Sequence, residues 1–163
     1  CPQTAGRVDL GSSFDHVRFS NLKVERIPGF SPYYSELIDD MHILSWDDEK
    51  TRILRYSGAW QHLNGQGMFT YMRSISQTSQ IGASLTCAFE GTGVDVFGPS
   101  DGGVRVDVYV DGSLIRGNAA LMANEGSLRT QLRVDGLEDG RHEVTVKLAN
   151  AREWNVDAIG VLA

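Results

Sequence analysis

Three short segments of the sequence combine aromatic side chains with hydrogen-bonding ones. They span residues 60–64 (WQHLN), 68–73 (MFTYMR) and 152–155 (REWN). A flat aromatic face packs well against the C–H groups of a sugar ring, and neighbouring polar side chains bond its hydroxyls. The side chains that would carry such a ligand-binding role are Trp60, His62, Tyr71, Arg73, Trp154 and Asn155.

Each of these candidates also has a structural interpretation. Trp60 lies in a strand-like segment, so packing at the core or rim competes with ligand contact. Trp154 is flanked by charged and polar neighbours, which predicts an exposed loop. Tyr71 and Arg73 share one phase of a strand pattern, and an exposed pair of this kind is more often a solvated face. His62 alternates with Trp60, and a surface histidine is the ordinary interpretation.

The motifs of common catalytic sites are absent from the sequence. There is no Gly-x-Ser-x-Gly, His-Glu-x-x-His or Cys-x-x-Cys spacing. The acidic run at residues 47–49 (DDE) is typical of a solvated turn, because a glycosidase needs two carboxyl groups held across a cleft. The sequence therefore predicts a chain without catalytic activity of its own.

The elements that must position the candidates are predicted to be β-strands. Apolar and polar residues alternate through residues 83–90, 94–96 and 104–110, with Asp111-Gly112 as a hairpin turn. The pattern returns at residues 52–56, 60–63, 128–134, 142–148 and 154–161, and helical periodicity is nearly absent. Many short strands with glycine-rich corners predict an all-β fold, an antiparallel β-sandwich of the jelly-roll kind.

Composition limits the partners of the chain. Its 163 residues suit one domain, or one domain with a fragment of another. The net charge of −6 argues against a nucleic-acid partner, and no apolar run is long enough to span a bilayer. Cys87 falls on the apolar phase of a strand and is expected to be a buried thiol, whereas Cys1 begins the chain abruptly and indicates a natural start further upstream.

The first residues predict a separate unit. Two prolines in the segment PGFSP, residues 28–32, indicate a linker, so we expect a boundary between residues 1–27 and residues 28–163. The segment FSNLKVE, residues 19–25, resembles the closing strand of laminin-G-like lectin sandwiches, including those of galactocerebrosidase-type glycosidases. In that resemblance an aspartate that helps to hold calcium is replaced by Ser20.

Residues 50–163 resemble galactose-binding-like β-sandwich domains. The resemblance is carried by ILRYSGAW, ASLTCAFEGTGVDVFG, VRVDVYVDG, VDGLEDGRHEVTVKL and NVDAIGV. It implies a carbohydrate-binding module appended to a secreted glycoside hydrolase, with a glycan and a catalytic domain as partners and with a site on the loops at one end of the sandwich. It also implies that His142 belongs to a structural turn.

The resemblance gives Asp157 two alternative roles. This carboxylate lies between Val156 and Ala158 and needs a partner if it is buried. In related sandwiches the corresponding aspartate either joins a structural calcium or bonds backbone or a hydroxyl; Glu36, Asp39 and Asp40 are candidate co-ligands. For the whole chain, two alternatives to sugar binding remain: a structural domain packed on a catalytic domain, and a protein-adhesion module.

Overall fold

The computed structural model describes residues 33–41, 53–68, 70–126 and 129–163, together with Ser20, Asn21 and Lys23. Within these residues the chain forms twelve β-strands and one short 3-10 turn. The strands are β1 (Tyr34–Asp39), β2 (Leu54–Ser57), β3 (Gln61–Asn64), β4 (Ser74–Thr78), β5 (Ser84–Gly91), β6 (Gly93–Phe97), β7 (Arg105–Val110), β8 (Ser113–Ala120), β9 (Thr130–Val134), β10 (Gly140–Leu148), β11 (Trp154–Val156) and β12 (Ala158–Leu162).

The described strands form three sheets in which every pairing is antiparallel. A four-stranded sheet has the order β1-β12-β6-β9, a five-stranded sheet the order β2-β5-β10-β7-β8, and a three-stranded sheet the order β11-β4-β3. The predicted all-β antiparallel sandwich is confirmed.

The alternating valines of the sequence form a large part of the hydrophobic core. Val106, Val108 and Val110 on β7 are paired with Leu148, Val146 and Val144 on β10 and are buried. They belong to one cluster with the inward-facing residues of the four-stranded sheet. Each such valine stabilises the fold by about 1.5–3 kcal/mol when its side chain leaves water. The opposite phase of the same strands remains at the surface, as period-two patterning requires.

The hairpin turn between β7 and β8 has the conformation that its sequence predicts. Asp111 (φ 50°) and Gly112 (φ 82°) are both left-handed, as in a type I′ turn. The strand that follows, β8, was not predicted, because it is an edge strand exposed along most of its length and shows no alternation.

Two predictions about strands near the candidate residues are wrong. The segment 154–161 is not one strand: β11 belongs to the three-stranded sheet and β12 to the four-stranded sheet, and the chain changes sheet at Asp157. Tyr71 and Arg73 do not share a strand face. They lie in the 3-10 turn Tyr71–Arg73, where Met72 (φ 50°) and Arg73 (φ 62°) are left-handed, which a strand excludes.

The remaining predictions divide by location. Cys87 is 2% exposed and unpaired, as predicted, and burial raises the pKa of its thiol to about 12. The predicted boundary near residue 28 and the acidic run 47–49 lie outside the described residues, as does most of the segment 19–25. Within the part of the chain that is described, no helix is long and apolar enough to cross a membrane.

Candidate ligand-binding site

A cavity of about 550 Å³ opens where loops meet at one end of the sandwich. The β6–β7 loop, the β8–β9 loop and the β10–β11 loop each contribute to its lining. Its polar side chains include Asp101, Asn124, Glu125, Arg152, Glu153 and Asn155. Loops that are carried by a rigid scaffold are common locations for binding sites.

Two asparagines fasten these loops to one another. The Asn124 side chain donates to the carbonyl of Gly98 (2.8 Å), and its oxygen accepts from the backbone N–H of Ser100 (3.2 Å). The Asn150 side chain donates to the carbonyl of Gly103 (2.9 Å). Because these bonds hold the three loops to one another within the protein, little further ordering of the loops is needed on binding.

The lining contains charges of both signs. Arg152 Nη2 donates to Asp101 Oδ2 (2.9 Å), and the Gly103 N–H donates to Asp101 Oδ1 (2.8 Å). The Gly103 amide first, and then the Arg152 guanidinium, hold the pKa of Asp101 below its usual value. Glu153 Oε1 accepts from Asn155 Nδ2 (3.2 Å). Carboxylate acceptors beside guanidinium and amide donors can bond the hydroxyl groups of a polar ligand.

No aromatic side chain of the described residues lines this cavity. The prediction that Trp154 lies in an exposed loop is wrong, and its contact with a ligand stays a prediction. Trp154 is 1% exposed on β11, and its Nε1–H donates to Gln131 Oε1 (2.6 Å). Side chains alternate along a strand, so Trp154 and Val156 face the core, and Asn155 between them faces outward.

Trp60 and His62 also lie in the aromatic cluster that contains Trp154. The half-buried Trp60 ring is 5.1 Å from the Trp154 ring and 4.8 Å from the Tyr56 ring, both edge-on, and its Nε1–H donates to the carbonyl of Ser57. The His62 ring is 4.8 Å from Tyr56. Three of the six predicted ligand-binding residues are therefore brought together, but as packing partners in the sandwich.

His62 continues into a buried hydrogen-bond chain. Ser76 Oγ donates to Asp40 Oδ2 (2.6 Å) and lies 2.6 Å from His62 Nδ1. When Asp40 is ionised, Ser76 donates its single hydrogen to that carboxylate, so a neutral His62 then donates from Nδ1 and accepts at Nε2. Burial lowers the pKa of His62. The three residue types are those of a hydrolase triad, but the serine is in the middle and is fully buried, so no substrate can reach it.

Two fully buried carboxyl groups lie close to this chain. Asp40 accepts from the hydroxyls of Ser74 (2.6 Å) and Ser76, and Asp157 accepts from the backbone N–H of Tyr71 (3.0 and 3.1 Å to its two oxygens). Burial raises the pKa of Asp40 to about 7, and the charges of Asp39 and Asp157 add to the increase. Burial also raises the pKa of Asp157 to about 6.

The partner of Asp157 in the structure is thus backbone. Among the described residues no group of three or more His, Cys, Asp or Glu is arranged to hold a metal ion. Asp39 and Asp40 do lie near Asp157, whereas Glu36 is exposed on β1. Within the described residues the calcium ion expected at Asp157 therefore has no complete ligand set, and it stays a prediction.

Of the predicted ligand-binding residues, Asn155 alone lines the cavity. Tyr71 is half-buried and contributes its backbone N–H to Asp157, and Arg73 is exposed in the 3-10 turn. The pattern of aromatic residues missed Asp101, Asn124 and Glu125, which lie in loops distant in sequence. The turn-forming segment PSDGG at residues 99–103 is the signal that could have pointed to this loop.

Known proteins resemble this chain in part. No family model matches the chain. It is 29% identical over 100 residues to the A type blood N-acetyl-α-D-galactosamine deacetylase of Flavonifractor plautii, a stretch that covers 61% of this chain and 13% of that enzyme. The chain thus spans about an eighth of the length of this relative.

Solved structures share the fold. A family 35 carbohydrate-binding module of Paenibacillus barcinonensis superposes with a TM-score of 0.53 at 16% identity, over 68% of this chain and 93% of the module. The exo-β-1,3-galactanase of Phanerochaete chrysosporium, solved with β-1,3-galactotriose, gives a TM-score of 0.50 at 13% identity, over 77% of this chain and 28% of that one. The fold of this chain is therefore the β-sandwich of carbohydrate-binding modules.

Proposed function

We propose that this chain is a non-catalytic carbohydrate-binding module that holds a glycan in the loop cavity. The observation that carries the proposal is a polar cavity at the loop end of the β-sandwich, with its loops tied together by Asn124 and Asn150. Family 35 carbohydrate-binding modules share the sandwich fold. Glu153 and Asp101 accept hydrogen bonds from sugar hydroxyls, Arg152 donates to them, and Asn155 does both.

The binding of a single sugar residue is expected to be weak. The described lining has no aromatic platform, so a sugar gains hydrogen bonds but no stacking contact. A net hydrogen bond contributes about 0.5–1.5 kcal/mol, and a millimolar dissociation constant corresponds to about −4 kcal/mol. A weak module is useful when it is tethered, because tethering raises the effective concentration of the glycan near its partner.

The partner in this proposal is the catalytic domain of a secreted carbohydrate-active enzyme, in the same polypeptide or complex. Support comes from the relative named as an N-acetyl-α-D-galactosamine deacetylase, because the matched stretch covers only 13% of that enzyme and leaves room for other domains. The structural match to the galactanase likewise covers 28% of that chain. We place the module at residues 28–163, with residues 1–27 belonging to a preceding unit.

The test is a nuclear magnetic resonance titration of the 15N-labelled chain with galactose, N-acetylgalactosamine and β-1,3-galactotriose. Tryptophan fluorescence would report poorly, because Trp60 and Trp154 pack in the sandwich. With galactose and N-acetylgalactosamine, saturable shifts confined to residues 98–104, 121–126 and 149–155 are expected. Glu153→Ala should weaken binding at least tenfold. The control Glu138→Ala, an exposed glutamate in the turn at the other end of β9 and β10, should bind as the wild type does.

One observation favours a second candidate, a structural domain that packs on a catalytic domain. Trp60 and Trp154 are used inside the sandwich, and the edge strand β8 exposes Leu114 (55%) and Ile115 (47%). Exposed apolar side chains of this kind are suited to docking on another domain. A folded chain that shows no shifts with any of the three sugars would overturn the module and favour this candidate.

A further inference from the structure

The outer face of the three-stranded sheet carries a row of carboxamide side chains that begins at the cavity. Asn155 on β11 is paired with Gln77 on β4, which is paired with Gln61 on β3. Directly paired residues of antiparallel strands lie on the same face with their Cβ atoms about 4.5–5.5 Å apart. Gln61, Gln77 and Asn155, here called the carboxamide row, therefore cross two strand spacings, roughly 10 Å.

The carboxamide row has unused hydrogen-bonding capacity. Gln77 Nε2 donates to Gln61 Oε1 (3.0 Å), and Asn155 Nδ2 donates to Glu153 Oε1 (3.2 Å). A primary amide has two N–H donors and one oxygen that accepts. Within the described part of the chain, the side-chain N–H groups of Gln61 and the side-chain oxygens of Gln77 and Asn155 make no hydrogen bond. Donors and acceptors thus both point outward from one row.

The chemistry of the carboxamide row selects a class of ligand. Its three side chains carry no charge and both donate and accept, as hydroxyl groups do. The half-buried Leu63 is two residues from Gln61 on the same face of β3 and adds an apolar contact for C–H groups. An uncharged chain of hydroxyl-bearing residues fits this surface, whereas a phosphate or a polyanion would find no cation in the row.

The carboxamide row is continuous with the cavity. Asn155 belongs to both, because it lines the cavity and also ends the row. Its hydrogen-bond partner Glu153 lines the cavity too. A ligand anchored in the cavity and longer than one sugar residue can therefore extend from Asn155 along the row.

We propose that the carboxamide row binds the second and following residues of a neutral oligosaccharide whose first residue occupies the loop cavity. The inference rests on the proposed function and extends it, since it predicts that the module binds oligosaccharides in preference to monosaccharides. Each additional sugar residue can replace hydrogen bonds to water with hydrogen bonds to the side chains of the carboxamide row.

The experiment compares galactose with β-1,3-galactotriose by titration of the full chain and of two double variants. The wild type should bind the trisaccharide at least tenfold more tightly than the monosaccharide. In Q61A/Q77A this ratio should fall close to one, with the affinity for galactose unchanged. The matched control T86A/T145A removes a hydrogen-bonded threonine pair (2.9 Å) from the five-stranded sheet and should keep the wild-type ratio.

The outcomes separate the two proposals. If galactose binds and the trisaccharide binds no more tightly, the role of the carboxamide row is overturned and the cavity proposal stands. If the trisaccharide is preferred equally by Q61A/Q77A, the additional residues lie elsewhere, and the role of the row is again overturned. If neither of these sugars nor N-acetylgalactosamine binds to the folded wild-type chain, the proposed function fails, and the carboxamide row fails with it.

Discussion

The two faces of the three-stranded sheet differ although their residues alternate along the same strands. The inner face places Trp154, Ser76 and His62 against the core and the buried Asp40. The outer face places Gln61, Gln77 and Asn155 toward solvent. Trp60, His62 and Trp154, which look most like a sugar site in the sequence, thus pack in the sandwich. The less conspicuous amides are the side chains that face outward.

This contrast shows what each face contributes. The inner face is satisfied within the protein: the Trp154 indole bonds Gln131, and the Ser76 hydroxyl bonds Asp40. The outer face keeps donors and acceptors available for a ligand. Substitutions on the inner face should therefore change stability, and substitutions on the outer face should change binding.

The largest effect is expected for Trp154→Ala. Removing the fully buried indole leaves a cavity and leaves Gln131 Oε1 without its donor. The free energy of unfolding should therefore fall by about 3–5 kcal/mol. Urea denaturation followed by circular dichroism measures this loss. A variant that is as stable as the wild type but no longer binds sugar would show instead that Trp154 is a ligand contact.

The next effect concerns pH and Asp40. Its pKa is about 7 in the folded chain and has the ordinary value of 3.8 in the unfolded chain, so the folded state binds more protons between these values. The contribution of Asp40 to the free energy of unfolding should therefore be largest below about pH 4 and should fall as the pH rises to about 7. Each unit of pKa difference between the folded and unfolded chain corresponds to about 1.4 kcal/mol, so the total loss is a few kcal/mol. Melting temperatures at pH 5 and pH 8 in EDTA measure the difference.

Asp40→Asn should flatten this pH dependence, whereas Asp139→Asn, at an exposed turn, should leave it unchanged. An equally steep profile in Asp40→Asn would assign the effect to another group. The same melting experiment is repeated with calcium added at pH 8. A rise in melting temperature that is lost in Asp157→Asn would show that a metal ion neutralises the Asp40 and Asp157 carboxylates.

A smaller effect is expected for Ser76→Ala. The variant removes one of the two hydroxyl donors to Asp40 and the partner of His62 Nδ1, at a cost of about 1–3 kcal/mol. The urea midpoint at pH 8, where Asp40 is ionised, should fall, and that of the control Ser79→Ala, an exposed residue just beyond β4, should not. Equal urea midpoints for Ser76→Ala and Ser79→Ala would show that the Ser76 hydrogen bonds do not stabilise the fold.

The smallest effect on stability is expected for Asn155→Ala. The side chain faces outward and bonds only the exposed Glu153 within the described residues, so the free energy of unfolding should change by less than about 0.5 kcal/mol. Sugar binding should nevertheless weaken at least tenfold, as measured by the same titrations. If Asn155→Ala unfolds as readily as Trp154→Ala, the two faces do not differ in the way described.

Much of the fold could be predicted because alternation is a local property. The runs that became β5, β7 and β10 alternate strictly, and each strand buries one phase, so period two identified both the strands and the buried residues. The edge strand β8 was missed because burial does not constrain either of its faces. The turn at Tyr71–Arg73 was missed because its left-handed residues are not glycines.

The sequence by itself determined the sandwich, its buried valines, the Asp111-Gly112 turn and the buried Cys87, since each follows from residues close together in the chain. Only the tertiary structure decided which face of β11 is buried and which loops meet at the cavity. Trp154 faces inward because β11 pairs with β4 and covers the core. Asp101, Asn124 and Glu153 meet because the β6–β7, β8–β9 and β10–β11 loops lie at the same end of the sandwich. Such contacts between distant segments leave no pattern in a single sequence, and the binding site depends on them.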